Sequence, residues 1–504
     1  MTEQHVISGA TIDCPVRPGA SDAEARRAVI GAPPHPRAHP LLGWAPQLRR
    51  SQVETYVRMM REHGDVVRLS VGPSWLGLAL HCVFSPDGVR RVLAGSRDAY
   101  AKRNRFYLEI ADALGWGLLT TEGERWEHQR RLIQPLFTRK QIAGYAELMA
   151  EEAAAAAERW QRATDDGARV DAHAEMVRLT LRVVGRSIFG DDVERAIPVL
   201  DSAFPVLNHR TFQRATTPVA TPASWPTPAN RRAARARRAL YGVVDELIAR
   251  RARDGAEGDD LVSLLLSARD ADSGETMDVQ QVRDEVLIFL LAGHETTSTA
   301  LTFTLQLLGQ HPDEQARIHG ELDAVLGGRA PAAEDVPALQ CTAMAIKEAM
   351  RLYPPAYAIG RRAELETEIG GFVIPAGAYV LVSQYATHRH PEFWEKPETF
   401  DPSRFTPERE QTRHRFAYFP FGAGPRACIG SQFAMLEAVI AVAALMQRLQ
   451  LRSELLDVPI DTAGITLRPR GPVPIRPTPR RNLSSPTRRF AVEFSEQPPC
   501  RRAC

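Results

Sequence analysis

One stretch limits the fold more than any other: a helix-compatible, largely apolar run from Asp278 to His311. Asp278 is a helix-capping residue placed just ahead of the run, and Pro312 follows its end. About 33 residues at 1.5 Å each make a rod of roughly 50 Å. A rod of that length crosses a whole domain, so the remaining chain has to be built around it. Its middle reads Ala292-Gly293-His294-Glu295-Thr296-Thr297. Gly inside a helix costs about 1 kcal/mol relative to Ala, and Thr can turn its hydroxyl back onto the carbonyl four residues earlier. Such a segment in the longest helix predicts a groove over a bound ligand, with a hydroxyl beside the reacting atom. A polar kink filled by water is the plainer alternative.

Helical signals dominate the rest of the chain. Thr121 with Glu124 is spaced as a capping box, opening a helix that should stop near Pro135. Residues 141–163, 337–352 and 429–450 read as further helices. Strand patterns are fewer: a hairpin over 65–84 and pieces within 365–383 and 463–476. Pro205, Pro218, Pro222, Pro226 and Pro228 predict a long flexible loop over 205–230. The expected organisation is mainly α, one large helical domain with a small β-rich lobe over residues 35–475. A mobile segment, 1–34, precedes it, and a disordered Pro/Arg-rich tail, 476–504, follows it.

Composition narrows the function classes. The chain has 504 residues, 44% of them hydrophobic and 25% charged, enough to close a core around a cofactor. Net charge is only +2, and the basic excess sits at the C-terminal end, where seven Arg face two Glu from Gly471 onward. A basic excess confined to such a tail is not the footprint of a nucleic-acid-binding face. The six cysteines are scattered, with no Cys-x-x-Cys pair, so a structural zinc site is not expected and a reducing cytosol is. The first thirty residues lack a long apolar run, which predicts neither a signal peptide nor a membrane anchor. A cytoplasmic monomer is expected.

Two further motifs carry chemistry. Glu348 and Arg351 stand three apart on one helix face, just before Pro354-Pro355, and so can meet. Downstream, Phe419-Pro420-Phe421-Gly422-Ala423-Gly424-Pro425-Arg426-Ala427-Cys428-Ile429-Gly430 sets a single Cys on a rigid loop at the start of a helix. Helix dipole and free backbone N–H groups there are expected to lower the thiol pKa. A thiolate so placed suits one axial position of haem iron. An inert buried Cys after a Gly-rich turn is the alternative.

Phe421-x-x-Gly424-x-Arg426-x-Cys428-x-Gly430 resembles the haem-binding signature of the cytochrome P450 family. Ala292-Gly293-x-Glu295-Thr296-Thr297 is similar to that family's oxygen-binding helix. Glu348 and Arg351, followed by Pro402-Ser403-Arg404-Phe405, look like its structural network, and Trp126-x-x-x-Arg130 like its propionate-binding helix. Order and spacing agree from about residue 35 to 475. Pro-Ser-Arg-Phe departs from the common Pro-Glu-Arg-Phe wording but keeps Arg404.

The resemblance implies haem b, with Cys428 as its thiolate ligand inside a loop containing Phe421 and Gly422. It implies Arg426, Trp126, Arg130 and Arg361 as propionate partners, with Arg362 the alternative register to Arg361. Thr296 and Glu295 would be the hydrogen-bonding and proton-relaying pair toward dioxygen. Phe106, Tyr107 and Leu114 are expected at the substrate pocket. Leu291, Ala292, Tyr357, Ala358 and Ile359 are expected there too. The implied reaction inserts one oxygen atom of dioxygen into a lipophilic small molecule, by hydroxylation or epoxidation, in secondary metabolism. Electrons would come from NAD(P)H through a ferredoxin and a ferredoxin reductase. A peroxygenase or isomerase of the same family, and a haem protein that only binds gas, are the rivals. Dioxygen-dependent NAD(P)H consumption separates them.

Overall fold

The computed structural model describes residues 31–480, apart from 74–77, 97, 166, 218–220, 256–257 and 271–273. A hairpin of β1 (Val66–Ser70) and β2 (Ala79–Val83) pairs Val66 with Val83 and Ser70 with Ala79. β3 (Tyr100–Ala101) leads into α1 (Arg105–Leu114) and α2 (Gly123–Ile133). Next come α3 (Ala146–Asp165), the short β4 (Val170–Asp171), α4 (Ala172–Phe189), α5 (Val193–Thr216) and α6 (Pro228–Arg253). α7 (Val279–Gln310) is followed by α8 (Gln340–Leu352), β5 (Ile359–Ala363) and β6 (Tyr379–Val382). α9 (Ser431–Arg448), β7 (Leu449–Ser453) and β8 (Pro474–Pro479) complete the framework.

α7 is the axis of the helical body. The Asp278 carboxylate caps it by accepting the Gln281 N–H at 2.7 Å. Helices α4, α8 and α9 and strand β7 pack on it. Leu287, Leu290, Leu301, Phe303 and Leu305 are fully enclosed. By length and hydropathy α7 is apolar enough to span a bilayer, but most of it is buried by protein, which makes it a core helix. The β-rich lobe is a five-stranded sheet in the order β1-β2-β6-β5-β3. It joins strands some 300 positions apart in sequence through the parallel pairing of Leu80 with Tyr379 and Val83 with Val382.

Several expectations are corrected. The predicted loop over 205–230 is helical as far as Thr216, with Pro198 and Pro205 inside α5. Leu200, Phe204, Leu207 and Phe212 form a buried stripe at helical spacing, and that burial outweighs the missing N–H groups. Thr121 does not cap α2. Glu122 occupies the cap position, and the Thr121 hydroxyl is instead bonded to Gly117 O at 3.0 Å and to the Gln129 side chain. The disordered tail does not begin at 476: β8 pairs Ile475 with Ser453 through to Pro479 with Leu449. Ile475 and Pro477 point inward while Arg476 and Thr478 point out, a period-two pattern hidden under a Pro/Arg composition. Beyond Ile475 only β7 is paired, so Pro477 and Pro479 lie on an edge, where a missing donor is tolerated. At the other end, residues 31–34 are tied to the sheet region: Gly31 O accepts from Val373 N at 2.9 Å and Pro34 O from Arg68 N at 2.9 Å. Residues 1–30 and 481–504, the rest of the expected mobile segment and tail, lie outside the described residues.

Candidate active site: a thiol and four cations around one cavity

The loop before α9 is held by its own backbone. Gly422 N donates to Phe419 O at 2.9 Å, Ala427 N to Gly424 O at 3.0 Å and Cys428 N to Phe421 O at 2.9 Å. Gly424 has φ +70°, and a Cβ there would stand 2.1 Å from Leu93 O, so no other residue fits. This folding aims Cys428 into a cavity of about 400 Å³ with mostly apolar walls. The residue is open toward the cavity it lines, yet protein surrounds its thiol. Burial pushes the Cys428 pKa up, against the Gly430 N–H and the Arg130 charge, which pull it down. The Gly430 N–H supplies the lowering expected of the helix start, and burial opposes it.

Lys102, Arg130, Arg361 and Arg426 also line this cavity, together with Trp126. Arg426 stacks over the Trp126 ring at 4.0 Å and donates to Thr121 O at 2.8 Å. Arg361 is buried and lines the cavity, whereas Arg362 is exposed and does not line it. Lys102 was invisible in the sequence. It is buried, donates to Leu119 O at 3.1 Å, and has its pKa held well down by burial and by Arg361 and Arg426. The β3–β5 pairing, Ala101 with Arg362, brings it there.

The middle of α7 forms another part of the same wall. Ala292, Glu295 and Thr296 line the cavity, and the Thr296 hydroxyl donates to Ala292 O at 2.6 Å. Gly293 has a packing role as well: a Cβ there would sit 2.8 Å from Val184 Cγ2 of α4. The glycine thus lets two helices approach, and Ala292 supplies the small surface toward the cavity. Both Glu295 oxygens accept from Asn208 Nδ2 of α5, each at 2.7 Å. Asn208 carried no sequence signal.

Of the expected pocket residues, Phe106, Tyr107, Leu291, Ala292, Ala358 and Ile359 line the cavity. Two do not. Leu114 faces a smaller adjoining void shared with Phe204, Asn208 and Ile465. Tyr357 is buried elsewhere, its hydroxyl near Gln52 Oε1 and Thr462 O at 3.3 Å each.

Glu348 and Arg351 are fully enclosed and paired twice, at 2.7 and 2.8 Å. Arg404 Nε lies 3.3 Å from Glu348 Oε1. Arg351 also donates to His388 O at 2.9 Å and Pro397 O at 2.6 Å. The His388 ring in turn accepts the Phe419 N–H at 3.0 Å. Burial, with Arg351 and Arg389 nearby, holds the His388 pKa well down, so the ring is neutral and able to accept. The buried ion pair thereby reaches the first residue of the Cys loop.

A profile of the cytochrome P450 family matches residues 33–473. The chain belongs to the cytochrome P450 family. Among similar P450 proteins is cyclooctat-9-en-7-ol 5-monooxygenase of Streptomyces melanosporofaciens, 37% identical, covering 87% of this chain and 93% of that one. Pentalenene oxygenase of Streptomyces avermitilis is 34% identical, covering 82% and 90%. The crystal structure of the cytochrome P450DA haem domain superposes with a TM-score of 0.81 at 30% identity, covering 90% of this chain and 99% of that one. The protein is a P450 monooxygenase that hydroxylates or epoxidises a lipophilic small molecule. Membership implies haem b with a cysteine thiolate ligand. The residues present fit that group. Among the described residues one thiol, that of Cys428, lines the cavity, and four cations line it against a single carboxylate, Glu295. That donor set suits a dianionic ligand with a metal centre.

Proposed function

We propose that this P450 oxidises a polycyclic terpenoid, with Cys428 as the iron ligand and the middle of α7 as the proton-handling surface. The observation that carries the reading is one cavity whose wall holds Cys428, Thr296 and Glu295 among predominantly apolar side chains. Bound haem supplies the activation of dioxygen. Lys102, Arg361 and Arg426, with Arg130, would hold its propionates through charge-assisted hydrogen bonds, which a guanidinium fork makes in pairs. Thr296 presents a hydroxyl able to donate once it turns from Ala292 O, and Glu295 is the acid placed next to it to carry protons inward. Phe106, Tyr107, Ile110 and Leu291 supply an apolar surface that excludes water and orients a hydrocarbon skeleton without directional bonds.

The terpenoid assignment takes its support from the names of two relatives, cyclooctat-9-en-7-ol 5-monooxygenase and pentalenene oxygenase. Ferredoxin and ferredoxin reductase are proposed as electron donors, in keeping with bacterial relatives, and the enzyme is read as cytoplasmic. The test titrates the purified holoprotein with cyclooctat-9-en-7-ol and with pentalenene. A low-to-high-spin Soret shift, followed by an oxygenated product with NADPH, a ferredoxin and its reductase, is expected for at least one of them. In that system Thr296→Ala should keep the shift and divert electrons to peroxide. No shift with either compound, but one with a fatty acid, would overturn the terpenoid reading. Unchanged coupling in Thr296→Ala would remove its proposed role.

A further inference from the structure

Asn208 is placed at the meeting of three elements. It lies on α5, and its side chain is almost wholly enclosed. Its Nδ2 donates to both oxygens of Glu295 on α7, each at 2.7 Å. Its Oδ1 accepts the Ile465 N–H at 3.0 Å. The amide has one orientation only: flipped, it would set an oxygen against the carboxylate and an NH₂ against an N–H. Gly464 adds to the fit, since a Cβ there would lie 3.3 Å from Asn208 Oδ1.

Each partner touches substrate space. Ile465 and Thr466 line the main cavity, as does Glu295. Asn208 itself, with Phe204, Leu207 and Thr211 of α5, walls the adjoining void, which Leu291 and Ile465 share with the main cavity. His294 is the titratable neighbour on the acid's own helix, and Asp201 faces it from α5. Neither hydrogen-bonds the Glu295 carboxylate, whereas Asn208 engages both of its oxygens.

We propose that Asn208 is a positioning residue for Glu295, tying the setting of that carboxylate to α5 and to the segment of Ile465 and Thr466 at the cavity wall. The inference rests on the reading of Glu295 as the proton-carrying acid. With both oxygens held toward α5, the acid is steered by whatever moves α5 or Ile465. A substrate in the main cavity that presses on Ile465 would act on the same amide, so occupancy and proton delivery would be linked through one side chain.

The test needs no substrate. With NADPH, a ferredoxin and its reductase, dioxygen takes two electrons and two protons to give peroxide, or four and four to give water. The share released as peroxide therefore reports proton delivery. Asn208→Asp keeps an acceptor for Ile465 and replaces the amide donor to Glu295 with a second carboxyl, so that the two acids compete for one proton. Asn208→Leu removes both and serves if the first variant folds poorly. Haem content and the reduced, carbon-monoxide spectrum establish loading. The Asn208→Asp peroxide-to-water ratio should rise by on the order of ten-fold, the factor carried by one charge-assisted hydrogen bond. In a Glu295→Gln background the same substitution should change nothing further. An equal change in both backgrounds, or none in either while haem is loaded, overturns the proposal. Should Glu295→Gln alone leave the ratio unchanged, the reading of Glu295 fails instead, and that result is separate.

Discussion

Cys428 is subject to opposed pulls. Enclosure raises its pKa, while the Gly430 N–H and Arg130 lower it. A coordinated cation tips that balance, because a metal-bound thiol is deprotonated outright. Cys82 and Cys341 face no such centre. Cys82 is wholly buried, and Cys341 is pushed up to about 11 by burial and Glu321. Cys428→Ala should therefore abolish the thiolate-type Soret band of the reduced, carbon-monoxide-bound protein, and Cys82→Ala and Cys341→Ala should retain it. A band surviving in Cys428→Ala would mean another ligand. The Cys428 loop was legible in sequence because a short local pattern of Gly, Pro and Cys builds it. Lys102 and Asn208 were not, since each reaches its partner only through contacts distant in sequence.

At the scale of elements, α7 holds the segment before α2 by two adjacent acids. Asp284 accepts the Trp116 N–H at 2.8 Å and Glu285 the Leu118 N–H at 2.9 Å. Gly115 and Gly117 leave the room these carboxylates occupy. Glu285 is fully buried with one oxygen unpartnered, and burial pushes its pKa up to about 8. Its folded pKa lies above the unfolded value, so the folded state binds the extra proton between about pH 4.5 and 8. Stability from this group is thus present at low pH and lost as pH rises through that window. Glu285→Gln should flatten the fall in Tm between pH 5 and 8, measured on the holoprotein. A slope identical to that of the parent would show Glu285 ionised throughout. The second element-scale device is the Glu348–Arg351–Arg404 group. Removing one member of a buried pair typically costs about 3–5 kcal/mol. Arg351→Ala should yield little haem-loaded protein, and Arg351→Lys should not restore it, because one ammonium cannot replace a fork that reaches Glu348, His388 O and Pro397 O together. Haem-loaded, wild-type-like Arg351→Ala protein would refute this.

For the whole molecule, the ends of the described chain are joined to its interior. β8 lies between β4 and β7, and Arg480 N donates to Arg448 O at 2.9 Å. The Arg480 side chain reaches Asp323 and His319 O. A chain ending after Arg480 should keep its haem spectrum and Tm, whereas one ending after Val473 loses the central strand of that sheet and should melt several degrees lower. Equal Tm values for the two truncations would show that β8 contributes nothing to stability. The helical body was legible in advance, since α7, α8 and α9 each carry a long run of periodic apolar residues with local stop signals. The sheet order was not, because β2 beside β6 is a pairing across nearly 300 residues that no local pattern encodes.

What the sequence by itself determined is whatever local chemistry specifies. That includes a central helix with a cap at Asp278 and a stop at Pro312, a Gly/Pro loop presenting Cys428, a Glu–Arg pair on one helix face, and the family those motifs belong to. Tertiary structure alone decided how these pieces are completed. It placed Arg361 rather than Arg362 at the cavity, since a strand sends alternate side chains to opposite faces. It turned Tyr357 and Leu114 away from the main cavity. It kept α5 helical through two prolines and β8 ordered through three, because burial against neighbouring elements outweighed local propensity. And it gave Glu295 its partner from a different helix, a bond that depends on how α5 packs over α7 rather than on any neighbour in the chain.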